Sequence, residues 1–317
     1  MKFLKFTVIK LIDIFLSPVT YLSALWLKQI RKKGLDKFTI SRKIFEKVGV
    51  LPVIDHYYEP FFSKKGYIRK KLELPGVNLN IDEQLNLLKE FNFNDELLKI
   101  PMEKNNPLEY YYNNESFGSG DAEILYNLIR LKKPGKIIEI GSGNSTLMAM
   151  KAISKNIEEN PDYFCEQICI EPFEMQWLEN LPVKIIRQKV ETLDKNIFTG
   201  LGKNDILFID SSHVIRPQGD VLFEYMEILP ILQSGVLIHI HDIFIPYDYP
   251  YEWLFKKVKL FNEQYLLEAF LAHNNSYEVI AALNYLKNEY PRELYEVCPV
   301  LNNQPERNPA SFWMKKK

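Results

Sequence analysis

The sequence predicts an α/β fold whose mainly parallel sheet is covered by helices on both faces, and three observations carry that expectation. From Ser119 onward, short apolar runs alternate with helix-like segments. The first run, Lys136-Ile-Ile-Glu-Ile140, breaks into Gly141-Ser-Gly143 and opens a helix-like stretch. Each later run ends in polar or charged residues. Such alternation implies right-handed strand–helix–strand units and a doubly wound layer architecture. A strand, a tight glycine turn and a helix start in succession are typical of nucleotide-binding folds.

The elements follow in order. Residues 121–131 read as a helix, 136–140 as the first strand and 145–153 as the next helix. Residues 163–170 read as the second strand, 183–187 as the third, 205–210 as the fourth and 235–241 as the fifth. Pro217 and Gly219 mark a loop before a helix over 221–229, which Pro230 helps to end. A helix around 262–273 precedes one more strand, 277–282. Ser311-Phe-Trp-Met314 is expected to pair with that strand, antiparallel, at the sheet edge.

Residues 1–115 are expected to form an N-terminal extension and 116–317 the sheet domain. The polar stretch 105–115, with Pro107, reads as the joint. The extension holds a helical stretch near 82–91 and an aromatic cluster, Asp55-His-Tyr-Tyr-Glu-Pro-Phe-Phe62. Its first residues are strongly apolar from Phe3 to Leu27, interrupted by Lys5, Lys10, Asp13 and Pro18. The uncharged part starts only at Ile14, short of the ~20 residues that span a bilayer. Lys28, Arg31, Lys32 and Lys33 follow at once. An apolar helix pair with a basic end can lie in a membrane interface. Residues 1–33 are therefore expected to touch a membrane surface without crossing it, or else to pack on protein. The location expected is the cytoplasm, peripheral at the inner face of the membrane.

Composition narrows the partners. Lys+Arg 40 against Asp+Glu 41 leaves a net charge of -1, so no long-range field draws the chain to nucleic acid. Cys165, Cys169 and Cys298 are too few for a disulfide framework, and the spacing of the first two is not CxxC. They read as packed thiols. A homo-oligomer is compatible with all of this.

In open α/β sheets ligands bind at the carboxyl ends of the strands. The strand ends here are Glu139-Ile-Gly141, Glu171-Pro172, Arg187-Gln-Lys-Val190, Asp210-Ser-Ser-His213 and His241-Asp242. Any one could be a solvated turn, but all five at one rim argue for a ligand site. Glycines at 141 and 143 let backbone approach a ligand. An acid after the second strand can accept hydrogen bonds from ribose hydroxyls.

These residues resemble class I S-adenosylmethionine-dependent methyltransferases, in Glu139-x-Gly-x-Gly-x-Ser-Thr146, Glu171, Ile209-Asp-Ser-Ser-His213 and the Gly235…His241-Asp242 strand. The nearest group is that of bacterial small-molecule methyltransferases accompanying polysaccharide and secondary-metabolite clusters. The resemblance spans roughly residues 117–317. It implies a Rossmann-like, seven-stranded sheet with an antiparallel last strand. It implies that the loop Gly141, Ser142, Gly143, Asn144, Ser145 and Thr146 holds the methionine part of the cofactor, with Glu139 near its amino group. Glu171 would hold the ribose, Lys189 and Val190 would border the adenine, and Asp210 would complete the pocket.

A hydroxyl acceptor needs a base. His213, His239 and His241 are the candidates, and His241, nearest its strand's carboxyl end, is preferred with Asp242 as its partner. His213 is second, and His239 reads as a core histidine. Asp210, His213, His241 and Asp242 could also ligate a divalent metal. Pro246-Tyr-Asp-Tyr-Pro-Tyr-Glu-Trp253 offers flat aromatic faces to a sugar or other small hydroxylated acceptor. His56-Tyr-Tyr-Glu-Pro60 has the same flavour and could close over the site. Two rival readings are a nicotinamide-dependent oxidoreductase and a non-catalytic, membrane-associated partner. The first lacks a third glycine, since Thr146 stands in its place, and a Tyr-x-x-x-Lys base. The intact polar strand ends oppose the second.

Overall fold

Seven strands form one sheet: β1 (Lys136–Ile140), β2 (Glu166–Ile170), β3 (Lys184–Ile186), β4 (Ile206–Ile209), β5 (Leu237–Ile240), β6 (Tyr277–Ala282) and β7 (Phe312–Lys316). Their spatial order is β3-β2-β1-β4-β5-β7-β6. This is a computed structural model describing residues 2–56, 58–62, 64 and 67–317, with side chains from residue 8 onward. Tyr57 of the aromatic cluster and the side chains of Phe3 and Lys5 lie outside the described residues.

The sheet is built from isoleucine-rich runs because both its faces are covered. Side chains alternate, so Ile137, Phe208, Leu237 and Trp313 fill one core and Ile138, Leu207, Ile238 and Met314 the other. β1 pairs in parallel with β2 on one side and with β4 on the other. Strand order reverses there, and the loops leaving β1 and β4 diverge to open a crevice.

β7 runs antiparallel between β5 and β6. The expected antiparallel pairing of this segment with β6 at the sheet edge is met, with β6 as the outer strand. Phe312, Trp313 and Met314 are all buried, and three consecutive apolar side chains need cover on both faces.

The helices are α1 (Lys2–Lys33), α2 (Thr39–Val48), α3 (Ile81–Lys89), α4 (Asn94–Leu97), α5 (Asp121–Lys132) and α6 (Asn144–Glu159), then α7 (Asp220–Phe223), α8 (Glu263–Leu271), α9 (Leu283–Glu289), α10 (Pro291–Val297) and α11 (Pro299–Asn303). The helix expected over 221–229 is broken. α7 gives way to a π turn, Glu224–Ile228, and a 3-10 turn, Leu229–Ile231, that holds Pro230.

The chain divides into two compact units, Met1–Ile68 and Arg69–Lys317. The division precedes the expected boundary at 115. Residues 69–115 are fastened to the sheet unit: the Leu72 amide donates to the Pro246 carbonyl at 2.7 Å and the Ala282 amide to Gln84 Oε1 at 2.8 Å. Within the expected joint, residues 105–107, 109 and 115 are exposed, whereas alternate residues 110, 112 and 114 are buried. Tyr110 and Tyr112 are fully buried, and the Tyr110 hydroxyl donates to the Phe117 carbonyl at 2.7 Å.

In the N-terminal unit α1 runs unbroken through Pro18, so the expected helix pair is one helix. By length and composition it can cross a membrane, which corrects the expectation that the segment is too short. Charges at Lys10 and Asp13 divide the sequence run but do not end the helix.

Candidate active site

β1 ends at Ile140, and Gly141 follows at φ +78°. Its amide donates to the Ile170 carbonyl at 3.0 Å, while the Asp210 amide donates to the Ile140 carbonyl at 2.8 Å. A Cβ on Gly141 would overlap the Asp210 carbonyl oxygen, so the turn needs glycine for both its dihedral and its space. Gly143 caps α6, and its amide donates to Thr146 Oγ1 at 3.1 Å. A Cβ there would meet only the Met175 methyl at 3.8 Å.

Glu139 lies beneath this loop, 1 % exposed. Burial pushes its carboxyl pKa up, opposed by the Gln167 amide. Oε2 accepts from Gln167 Nε2 at 2.9 Å and from the Cys169 thiol at 3.5 Å. Oε1 has no hydrogen-bond partner among the described residues, and neither does the buried Ser142 Oγ. Unpartnered buried oxygens are costly. Two of them beside an obligatory glycine fit a ligand bearing donors, such as the amino-acid end of the expected cofactor.

A cleft of ≈ 440 Å³ opens at the carboxyl ends of β1, β2 and β4, within the range of small-molecule sites. Gly141, Glu171, Phe173, Lys189, Val190 and Asp210 are among its walls. Five of these six were expected from sequence, and Phe173 was not. Glu171 Oε1 accepts from the amides of Phe173 at 3.0 Å and Glu174 at 2.9 Å. Arg187 pins the same turn through the carbonyls of Glu171 and Glu174, at 2.9 and 2.7 Å. Glu139, Ser142, Gly143, Asn144, Ser145 and Thr146 are not among the residues that line the cleft. Asn144 donates to Ser116 Oγ at 2.7 Å, and Ser145 and Thr146 are buried at the start of α6.

Asp210, His213, His241 and Asp242 come together at the ends of β4 and β5. His213 Nε2 is 3.2 Å from Asp210 Oδ1 and 3.5 Å from Asp242 Oδ2, and its Nδ1 is 2.8 Å from Glu263 Oε2. His241 Nδ1 is 3.4 Å from Asp210 and 3.5 Å from Asp242. His241 Nε2 has no hydrogen-bond partner among the described residues, with Asp121 Oδ2 at 3.8 Å. Burial opposes charge on both imidazoles. Asp210 and Glu263 outweigh it at His213, whose pKa is pushed up to about 10. Asp210 and Asp242 do the same at His241, holding it well above the usual histidine range. Burial works to raise Asp210, yet the two imidazoles hold its pKa well below the usual carboxylate range. Burial raises Asp242.

Among the described residues no group of His, Cys, Asp and Glu side chains is arranged to hold a metal ion. The metal expected at Asp210, His213, His241 and Asp242 thus has no such group behind it. Their nitrogens and oxygens lie 3.2–3.5 Å apart as imidazole–carboxylate pairs. His239 is a core residue, as expected: it stacks on Phe208 at 3.9 Å and pairs with Ser311 Oγ at 2.7 Å. The Pro246–Trp253 loop is more packed than expected. Tyr249 is 1 % exposed and the Tyr247 hydroxyl donates to Glu289 at 2.6 Å. Sequence reasoning missed Asp121 and Glu263, acids at the starts of α5 and α8. Only folding carries them to the histidines.

Residues 138–243 match the model of a methyltransferase domain. An uncharacterized protein of Archaeoglobus fulgidus is 29% identical over 182 residues, 52% of this chain and 80% of that protein. An O-methyltransferase from Bacillus cereus, solved in complex with SAH, aligns over 73% of this chain and 91% of its own at 12% identity and a TM-score of 0.37. A Plasmodium falciparum structure described as a protein-L-isoaspartate O-methyltransferase, in complex with S-adenosyl-L-homocysteine, aligns over 50% of this chain and 83% of its own at 18% identity and a TM-score of 0.28.

Proposed function

We propose that this chain, whose residues 138–243 match a methyltransferase domain, is a class I S-adenosylmethionine-dependent methyltransferase that methylates a hydroxyl oxygen of a small acceptor, a sugar or a similarly hydroxylated compound. The supporting observation is the His241–Asp210–Asp242 cluster, whose Asp210 borders the cleft. The nicotinamide reading is set aside with the methyltransferase match.

Bound S-adenosylmethionine supplies a sulfonium-activated methyl group. The chain must hold it, align the acceptor and take a proton. Glu139 and the Gly141–Thr146 loop would hold its amino-acid end, Glu171 would accept from the ribose hydroxyls, and Lys189 and Val190 would border the adenine.

A positioned base speeds such a transfer by ~10²–10⁴-fold. His241 takes this role in our reading. Its Nδ1 is held by two carboxylates and its Nε2 has no partner among the described residues. The same carboxylates raise its proton affinity, so its neutral, accepting form grows as pH rises. Turnover should therefore climb on the alkaline side of neutrality. His213, expected as the second choice, has both nitrogens engaged and serves to position Asp210.

The test is a panel of hydroxylated acceptors with radiolabelled S-adenosylmethionine. His241→Ala should lower turnover by ~10²-fold or more, with cofactor binding nearly unchanged by calorimetry. Chelators should have no effect. Full turnover in His241→Ala would move the base elsewhere. Cofactor binding without turnover on any acceptor would favour a non-catalytic role.

A further inference from the structure

We propose that the N-terminal unit is a membrane module, in which residues 8–27 cross a lipid bilayer and α2 lies flat on the leaflet at the basic end. This rests on observations independent of the cleft.

Length comes first. At 1.5 Å per residue the segment 8–27 is about 30 Å long, the thickness of the hydrocarbon core. Surface character comes second. None of the apolar window of α1 is buried within the protein, and Ile14 and Phe15 are 70% and 82% exposed. Neighbouring apolar pairs such as Val8-Ile9, Leu11-Ile12 and Phe15-Leu16 point about 100° apart. Apolar side chains thus wrap most of the circumference. A helix that lies in the interface has instead one apolar face and one charged face.

The polar atoms in the segment fit the same reading. Ser17 Oγ donates to the Ile14 carbonyl at 2.9 Å and Thr20 Oγ1 to the Leu16 carbonyl at 3.1 Å. Their hydroxyls are satisfied inside the helix, as hydrocarbon requires. Lys10 lies near the segment's outer end, where a long charged side chain reaches the headgroups, and Asp13 follows within one helical turn of it, so that the two opposite charges share that end.

The other end is basic and tied down. Ile30 is fully buried, Trp26 packs edge-on against Phe38 at 5.7 Å, and Arg31 pairs with Glu59. Residues 28–48 carry eight Lys and Arg against two acids. Such an excess keeps that end on the cytoplasmic side and draws it to anionic headgroups. α2 adds a second observation. Ile40, Ile44 and Val48 form one stripe, 76%, 55% and 67% exposed, with Arg42, Lys43 and Lys47 around it. That is an interfacial helix. With no other candidate span among the described residues, a single crossing leaves the methyltransferase domain on the basic side.

The experiment uses the full chain, made in the presence of vesicles of phosphatidylcholine with or without phosphatidylglycerol. Wild type should float with the vesicles and resist extraction by alkaline carbonate. Ile14→Arg with Leu22→Arg should abolish carbonate resistance while keeping the thermal shift given by S-adenosylmethionine, which shows the domain folded. Trypsin cleavage at Arg42, Lys43 and Lys47 should slow several-fold with phosphatidylglycerol vesicles but not with phosphatidylcholine alone. Carbonate release of wild type overturns the crossing in favour of surface contact. Failure to float makes α1 a protein-packing element. Loss of residues 1–33 from protein purified from cells makes it a cleaved signal. Unchanged trypsin kinetics overturn the role of α2.

Discussion

His213 has both ring nitrogens committed, one to Glu263 and one to Asp210, at φ +60°. Its pKa is raised from 6.5 to about 10. The stabilisation is therefore fully present below pH 6.5 and lost as pH climbs through 10. Asp210 has the opposite sign: its lowered pKa contributes above the usual carboxylate range and is lost in acid. Denaturant unfolding should show stability falling by about a few kcal/mol from neutrality to pH 10. His213→Gln should flatten that slope; an unchanged slope would assign it to other groups. Glu171 offers a second residue-scale test. Removing a charged acceptor costs ~1.5–3 kcal/mol, so Glu171→Ala should weaken S-adenosylmethionine by roughly tenfold to a hundredfold in calorimetry. Glu171 also accepts the amides of Phe173 and Glu174. Proteolysis of that turn should therefore be followed alongside, to separate loop loosening from ribose contact.

Among elements, α5 and α11 are joined by one side chain. Glu123 accepts the amides of Gly120 at 2.9 Å, Val300 at 2.8 Å and Leu301 at 3.0 Å. It caps α5 and meets the amides at the start of α11. Burial works against it, raising its pKa to about 7. Glu123→Ala would leave three buried amides without acceptors and should cost about 2–4 kcal/mol in denaturant unfolding. A loss under 1 kcal/mol would mean that water takes over those amides. No pattern in the sequence announces the link to α11, because Val300 and Leu301 lie 177 and 178 residues away. The π turn after α7 is similar. A sequence window reads residues 221–229 as one amphipathic helix, and only the packing of buried Glu224, Tyr225 and Ile228 shows the widened turn.

For the molecule as a whole, the two compact units meet in sequence at Ile68 and Arg69. Limited trypsin treatment should leave a resistant fragment beginning near Arg69, read by mass spectrometry. A fragment beginning near residue 116 would instead restore the boundary expected from sequence. The buried Tyr110 and Tyr112 argue against that outcome.

The sheet and the polar rim of its cleft were legible in the chain alone. Strands of isoleucine, a glycine turn and acids at strand ends are local signals, set by backbone dihedrals and period-two burial. Gly141, Glu171, Lys189, Val190 and Asp210 were all legible in this way and all border one cleft. The sequence also brought His213 and His241 to notice as residues at strand ends. Their protonation was beyond its reach, because it depends on how closely the fold brings Asp210 to both rings and Asp242 to His241, and on Glu263 reaching His213 from α8. The position of β7 inside the sheet was decided the same way, by strands that must find cover on both faces. Local chemistry sets which residues can act, whereas charges brought together across the fold set their proton affinities, because electrostatic energy depends on distance and burial rather than on sequence spacing.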